Sequence, residues 1–167
     1  ELADEHWRGA VEGYLNTQKF YLLVEPTYYK RALLIFDRIK KEFGFASFGL
    51  VDIGKLRERE TIRPRDDSLA CKVETESELA RNYIDYLLGR VVCCEKAEQL
   101  RNFKTAITAD GLLYQGYVVR SIQRKLMDDA FIGRRSINLR VSRLEEALKQ
   151  IDEQMCYWDP IHQLFTQ

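Results

Sequence analysis

The sequence has few of the residues that build catalytic or metal sites. Its 167 residues include two histidines and four cysteines, and none of the cysteines forms a C-x-x-C pair. Adjacent Cys93 and Cys94 lie in an apolar run, which favours buried, reduced thiols over a disulfide framework. Because His6 and His162 lie near opposite ends of the chain, neither a zinc site nor a Ser-His-Asp triad is expected.

Glycine motifs that bind phosphate are missing as well. The chain contains neither G-x-x-x-x-G-K-S/T nor G-x-G-x-x-G, so the usual nucleotide-binding loops are excluded. The acidic pairs Asp66-Asp67 and Asp128-Asp129 lie in polar contexts that favour solvated charge over a catalytic or metal-binding pair. We therefore expect no cofactor, no metal and no enzyme activity, with an α/β enzyme of unusual site chemistry as an open alternative.

Net charge and long apolar runs are also absent. The 26 basic and 26 acidic residues sum to zero, so contact with nucleic acid would need a local patch. No stretch reaches the ~20 apolar residues that span a bilayer, and no signal peptide is present, which predicts a cytoplasmic protein without a membrane partner. The length fits one domain. Since the chain starts at Glu1 without an initiator Met, we expect it to be a piece of a longer protein.

The order of apolar and amphipathic segments predicts a mixed α/β (α+β) domain. Helices are expected over residues 1–18, over residues 26–43 with Gly44 as the C-cap, and over residues 76–89. Strands are expected over KFYLLVE, FGLVDI and RVVCCE, and a short helix over KAEQLRNF. The charged stretch GKLRERETIRPRDDS, residues 54–68, is expected to be an exposed loop.

The segment ITADGLLYQGYVVRSI, residues 107–122, is predicted to form strands with turns at Asp110-Gly111 and Gln115-Gly116. Glycine weakens a strand interior, so its presence indicates a tight turn or the close approach of another backbone. We expect this segment to be a sheet edge that a second copy of the chain completes.

A heptad seam marks the C-terminal segment. Steps of four and three residues connect its apolar positions, which are Ile137, Val141, Leu144, Leu148, Ile151 and Met155. This spacing is typical of a coiled coil, and Asp159-Pro160 is expected to end the helix. A similar N-terminal stripe consists of Ala3, Trp7, Val11 and Tyr14. The two predict a globular domain between antiparallel coiled-coil arms that continue beyond both ends of the sequence.

The chain would then divide into four parts. Residues 1–18 would be the end of the N-terminal arm and residues 19–133 the globular domain. Residues 134–158 would be the start of the C-terminal arm, and residues 159–167 a tail.

In layout and in residues the chain resembles the hinge domain of structural maintenance of chromosomes (SMC) proteins. The similarity rests on YLLGRVVCCEKAEQL and TAITADGLLYQGYVVRS. With AVEGYLNTQKFYLLVEPTYYKRAL, LVDIGKL and SLACKVETESELARNYIDYLLGRVVCC, the resemblance is greatest to MukB-like, Mks and Wadjet-type (JetC) SMC subunits. These segments cover most of residues 10–122.

The resemblance implies a hinge that homodimerises within a bacterial, nucleoid-associated SMC ATPase, whose distant heads bind nucleotide and whose other subunits are partners. Such a protein acts on DNA topology, by loop extrusion, in plasmid defence or in chromosome organisation. It also implies dimer-contact residues, which are Gly89, Gly111, Leu113, Tyr114, Gly116 and Val118. Many hinges carry a Gly-Gly pair after the last strand, where this chain has Val119 and Arg120.

A local basic patch predicts a second contact. Residues 120–143 carry seven basic and two acidic side chains, a net charge of +5 in a neutral protein. Contact with the phosphate backbone of DNA is expected from Arg120, Arg124, Lys125, Arg134 and Arg135. A solvated face with helix-capping arginines is the alternative. A stand-alone DNA-binding module, in which dimerisation is incidental, is therefore the second functional hypothesis.

Overall fold

The computed structural model describes residues 1–44, 47–59 and 63–165. The chain forms two units, Glu1–Ile132 and Gly133–Gln167. The first unit is a mixed α/β domain, as the sequence predicts. Its largest sheet has four strands in the order β3-β4-β5-β6. They are β3 (Val92–Cys94), β4 (Thr105–Thr108), β5 (Leu112–Gln115) and β6 (Val118–Ser121).

These strands lie where the sequence predicts them. β3 and β4 are parallel and are joined through a 3₁₀ helix at Ala97–Asn102, in place of the short α-helix expected there. The β4-β5 and β5-β6 pairs are antiparallel hairpins. Alternate residues point to opposite faces of a strand, and both faces of this sheet are covered. Ile107 and Leu113 belong to one core cluster, and Ala106 belongs to the other.

The N-terminal helix α1 (Arg8–Leu15) is part of the larger core cluster. Trp7 and Val11, two residues of the predicted arm stripe, are 2% and 0% exposed. They pack in one cluster with Leu69, Leu88 and Ile107. The amphipathic pattern therefore reflects packing within the first unit. The assignment of residues 1–18 to the end of a coiled-coil arm stays a prediction.

A smaller lobe follows α1. It contains strand β1 (Leu22–Leu23), helix α2 (Tyr29–Phe43) and strand β2 (Leu50–Val51), and the two strands pair in parallel. The predicted α2 ends at Gly44 in the left-handed conformation at φ 67°, which confirms the expected C-cap. The expected strands in this lobe are two residues long each, and neither is fully buried.

The charged segment after β2 differs from the predicted loop. It begins with helix α3 (Ile53–Arg59), whose Ile53 is fully buried, whereas residues 60–62 lie outside the described part. At its other end Ser68 is buried and is bridged to Val92 of β3. The segment is therefore held at both ends, by the buried Ile53 side chain and by the Ser68 bridge to β3, although charged residues dominate its sequence.

Two further helices complete the first unit. Helix α4 (Glu78–Leu88) confirms the predicted helix, and the Ser77 hydroxyl caps it by accepting from the Ala80 amide. Helix α5 (Arg124–Asp128) packs against α1. There Met127 lies so close to Gly9, Gly13 and Gly111 that a Cβ atom at any of them would come within 3.0 Å of it.

The second unit is dominated by helix α6 (Ser136–Phe165). It runs through Asp159-Pro160, so the expected break does not occur. A proline removes one backbone donor, which a long helix with bonds on both sides can tolerate. Residues 166–167 of the expected tail lie outside the described part. The heptad positions from Ile137 to Met155 are all exposed. Across the described chain, no helix is both long and apolar enough to cross a membrane.

Candidate functional site

The hairpin β5-β6 forms the outer edge of the four-stranded sheet. Its two central turn residues, Gly116 and Tyr117, have φ of 57° and 66°. Two positive φ angles in a two-residue loop define a type I′ turn, which matches the right-handed twist of the strands. Tyr117 carries this conformation without being glycine, and its side chain is 93% exposed. The turn therefore presents an aromatic ring to solvent.

The pairing of β6 determines which backbone groups face outward. The Ile122 amide donates to the Gly111 carbonyl at 2.9 Å, and hydrogen-bonded pairs alternate with non-bonded pairs in an antiparallel ladder. Val118 and Arg120 therefore bond to β5. Val119 and Ser121 direct their N–H and C=O groups away from the sheet. No strand covers this edge within residues 1–44, 47–59 and 63–165.

Val119 and Arg120 lie on opposite faces of β6. Val119 is opposite Tyr114, and Arg120 is opposite Leu113; directly opposed residues share a face. Val118 and Val119 are 58% and 53% exposed. As neighbours on a strand they point to opposite faces. With Tyr117 they supply exposed apolar side chains along the sheet edge, which we call the β6 edge (Tyr117–Val119 and Ser121).

The glycines predicted at a dimer contact have different surroundings. A Cβ atom on Gly89 would lie 2.4 Å from the Asp85 carbonyl, and one on Gly111 would lie 2.3 Å from the Met127 sulfur. Both glycines are therefore explained by close packing inside the chain. A Cβ atom on Gly116 would meet no atom of the described chain within 4 Å, apart from the residues next to it. The space around Gly116 is therefore open.

The apolar residues predicted at the contact also separate into groups. Leu113 is 2% exposed and lies in the core, so its side chain is covered by the chain itself. Tyr114 is half-buried against the smaller core cluster. Val118 is exposed on the β6 edge. The structure thus brings Val118, Gly116 and part of Tyr114 to the edge and keeps Leu113 inside.

A second apolar surface lies on the small lobe. No residue of α2 is buried, although the helix is strongly amphipathic. Leu22 of β1, Leu33 of α2 and Phe43 at its end are all exposed. The sequence predicted the helix from its apolar spacing, but periodicity shows an apolar face and not what covers it. We call this surface the α2 lobe (residues 22–43 with β2).

An open cleft of about 500 Å³ lies beside the β6 edge. Tyr14, Gln115 and Arg120 line it, and Arg120 donates to the Gln115 side chain at 3.3 Å. Burial raises the pKa of Tyr14, while Arg120 and the hydrogen bond with Gln115 act in the opposite direction. Arg120 therefore faces a polar cleft of its own chain and is not a freely extended cation.

The remaining residues of the predicted DNA patch are distributed over both units. Arg124 and Lys125 are exposed on α5. Arg124 lies 3.9 Å from Asp128, a long ion pair that leaves its side chain 93% exposed. Arg134 and Arg135 belong to the second unit. The predicted patch thus consists of two pairs of sequence neighbours, Arg124-Lys125 in the first unit and Arg134-Arg135 in the second.

The cysteines differ in exposure, and all four are free thiols. Burial raises the pKa of Cys93 to about 12 and also raises that of Cys94. Cys71 and Cys156 are exposed. Elsewhere in the described chain, no group of three or more His, Cys, Asp or Glu residues is placed to hold a metal ion.

These exposures predict the thiol chemistry. At pH 8 a thiol-specific disulfide reagent is expected to modify Cys71 and Cys156 quickly, because the thiolate is the reactive form and both are accessible. Cys93 and Cys94 stay protonated and covered, so they should react only after denaturation. In a Cys71→Ser/Cys156→Ser variant the fast phase should vanish. Four equally fast thiols in the folded protein would contradict the burial of β3.

Comparison with known proteins identifies the fold. No family model and no curated protein matches the chain. Its structure is similar to the crystal structure of an asymmetric dimer of the SMC hinge domain from Geobacillus stearothermophilus, with a TM-score of 0.55 and 17% sequence identity. The similarity covers 98% of this chain and 71% of that one. The chain therefore has an SMC hinge-like fold, which confirms the globular part of the expected fold.

Proposed function

We propose that this chain is the dimerisation hinge of an SMC-type protein. The β6 edge carries the proposal, since it combines outward-facing backbone groups at Val119 and Ser121 with exposed apolar side chains. Unpaired edges of this kind recruit strands from other chains. The hinge-like fold supports a second copy of the same chain as the partner.

The α2 lobe supplies the complementary surface in this proposal. Its two-stranded sheet is marginal alone and would be extended by a third strand. The exposed apolar face of α2 would be covered at the same time. When the β6 edge of each copy pairs with the α2 lobe of the other, twofold symmetry repeats the contact and closes the dimer.

The parent protein in this proposal is a Wadjet-type or MukB-like SMC ATPase with distant heads and further subunits. The resemblance of residues 10–122 to those hinges supports the subfamily. In this proposal α6 begins one coiled-coil arm, because its heptad seam is exposed along its described length. The parent would act on DNA topology in the bacterial cytoplasm, in plasmid defence or chromosome organisation.

Disulfide trapping tests the dimer and its geometry together. Exposed Cys71 and Cys156 are first replaced by serine, and Ser121→Cys and Leu22→Cys are then introduced in separate copies. Oxidation of the mixed copies is expected to give a covalent dimer, and neither variant alone should do so. A covalent dimer formed by the Ser121→Cys variant alone would show that two β6 edges pair with each other, and it would contradict the contact with the α2 lobe. No covalent dimer in any mixture would contradict pairing through β6.

DNA contact through the basic residues is a separate part of the proposal. The exposed pair Arg124 and Lys125 on α5, the pair Arg134 and Arg135, and Arg120 at the cleft would contact phosphates. Phosphate contacts release counterions, so binding should weaken as salt rises, with a log–log slope of about −0.9 per contact.

Charge reversal tests this contact. The variant Arg124→Glu/Lys125→Glu and the variant Arg134→Glu/Arg135→Glu are each expected to weaken binding to duplex DNA and to reduce the salt slope by about two. The control Arg101→Glu/Lys104→Glu makes the same charge change at exposed positions outside the patch. Equal loss in all three variants would show that net charge, and not this patch, governs binding.

A further inference from the structure

A buried carboxylate lies in the middle of helix α1. The side chain of Glu12 is fully buried, between core residues Val11 and Leu15 of the same helix. Burying a charge is strongly unfavourable unless it is paired and hydrogen-bonded. The position of Glu12 therefore requires partners that use both of its oxygens.

Those partners hold one particular segment of backbone. Glu12 Oε1 accepts from the amides of Phe131 and Ile132 at 2.6 and 2.7 Å. Its Oε2 accepts from Lys19 Nζ at 2.7 Å, and the Lys19 side chain is 6% exposed. Arg8 Nη1 lies 3.8 Å from Oε1 as a second, longer ion pair. The carboxylate is thus held by two cations and by the last two residues of the first unit.

Further side chains from the N-terminal region hold the same segment. Arg8 Nη1 donates to the Ile132 carbonyl at 2.8 Å. The ring of Phe131 packs edge-on against Phe20 at 4.9 Å, and Lys19 Nζ lies 4.9 Å from the centre of the Phe131 ring. We call this set the Glu12 clamp (Arg8, Glu12, Lys19 and Phe20 on Phe131-Ile132).

We propose that the Glu12 clamp is a latch that holds the connection between the globular unit and helix α6. Its contacts with residues 131–132 are side-chain contacts, and no hydrogen bond of the sheet passes through it. Release would therefore leave β3-β6 intact. The linker before α6 begins at Gly133 while the clamp is closed. On release it would also include Phe131 and Ile132.

This device does not depend on the dimer or on DNA. It gives the segment that precedes α6 two states. In one state the Glu12 clamp holds residues 131–132, and in the other these residues are released and lengthen the linker. The residues that hold the latch come from α1 and the turn after it, whereas the held residues precede α6. The first and last parts of the globular unit are thereby coupled through the Glu12 clamp.

Hydrogen exchange of individual amides in the full chain tests the latch. In the wild-type protein the amides of Phe131 and Ile132 are expected to exchange together, at least about 10-fold faster than the amide of Ile107 in β4, because a local opening exposes them. In Glu12→Gln, which loses the ion pairs with Lys19 and Arg8, their exchange should accelerate by roughly 10- to 100-fold while Ile107 is unchanged.

The controls separate a latch from a purely structural contact. The variant Lys19→Met removes the Lys19–Glu12 ion pair and keeps the carboxylate. It should accelerate exchange of the Phe131 and Ile132 amides. Acceleration of Ile107 by the same factor would make Glu12 part of global stability and overturn the proposal. If neither variant folds, the exchange rates of the wild-type protein decide. Exchange of the Phe131, Ile132 and Ile107 amides at one rate would mean that residues 131–132 do not open separately, and it would overturn the proposal.

Discussion

Substitution of Val119 by proline is expected to convert the proposed dimer into a monomer. The Val119 amide points away from β5, so proline removes a donor from the outer edge without breaking a bond of the hairpin. Proline is tolerated on edge strands for this reason, and its ring prevents a further strand from pairing. Because the contact occurs twice in a symmetric dimer, we expect the dimer Kd to rise by about 100-fold or more.

The control for this prediction is Val119→Thr. Threonine keeps the backbone amide and the branched side chain, so the dimer should persist with a modest loss of affinity. Circular dichroism of both variants should match the wild-type spectrum. A proline variant that remains dimeric at low micromolar concentration would exclude strand addition at the β6 edge.

Substitution of Trp7 by alanine is expected to cause a large loss of stability. Trp7 is 2% exposed and packs with the core formed by α1, α4 and the sheet. Removing a buried aromatic side chain costs about 3–5 kcal/mol, a large part of the roughly 5–15 kcal/mol that stabilises a typical domain. Urea unfolding monitored by circular dichroism gives the change in the free energy of unfolding.

The chain offers a matched control in Trp158. Its side chain is 60% exposed on α6, so Trp158→Ala should change the free energy of unfolding by no more than about 0.5 kcal/mol. If Trp7 lay on the surface, both substitutions would have similarly small effects. A loss below about 1 kcal/mol for Trp7→Ala would contradict the packing of Trp7 in this core, since it would fall within the range of ordinary surface changes.

Local signals predicted the elements in which propensity and tertiary packing agree. The hairpin region could be located because Asp110-Gly111 and Gln115-Gly116 combine turn chemistry with flanking strand formers. Helix α4 could be located because Ser77 is a good N-cap and an apolar stripe follows it. The cap of α2 at Gly44 rests on the same kind of signal.

The environment of the remaining elements depends on which part of the protein packs against each apolar face. The stripe of Trp7 and Val11 has the same spacing whether it packs in a core or in a coiled coil, so periodicity alone could not place it. Helix α3 was not predicted because charged residues dominate its sequence, and among its described residues only Ile53 is fully buried. The apolar spacing of α2 predicted the helix but not the exposure of its apolar face.

The candidate site was predicted in position but not in detail. The edge lies in the predicted segment, yet Leu113 is buried, whereas Val118 and Val119 are exposed because β6 is the edge strand. Tyr117 was missed because nothing in the sequence indicates that a non-glycine residue would adopt a positive φ there. Val119 and Arg120, neighbours in sequence, face opposite sides of β6 and so have different roles.

The mass of the chain in solution tests the central proposal most directly. Sedimentation equilibrium over a micromolar concentration series should give a species of twice the 19.7 kDa of one chain, with dissociation visible on dilution. The Val119→Pro variant should stay at the mass of one chain throughout. A wild-type mass of 19.7 kDa across the whole series would contradict the assignment of this domain as a dimerisation hinge.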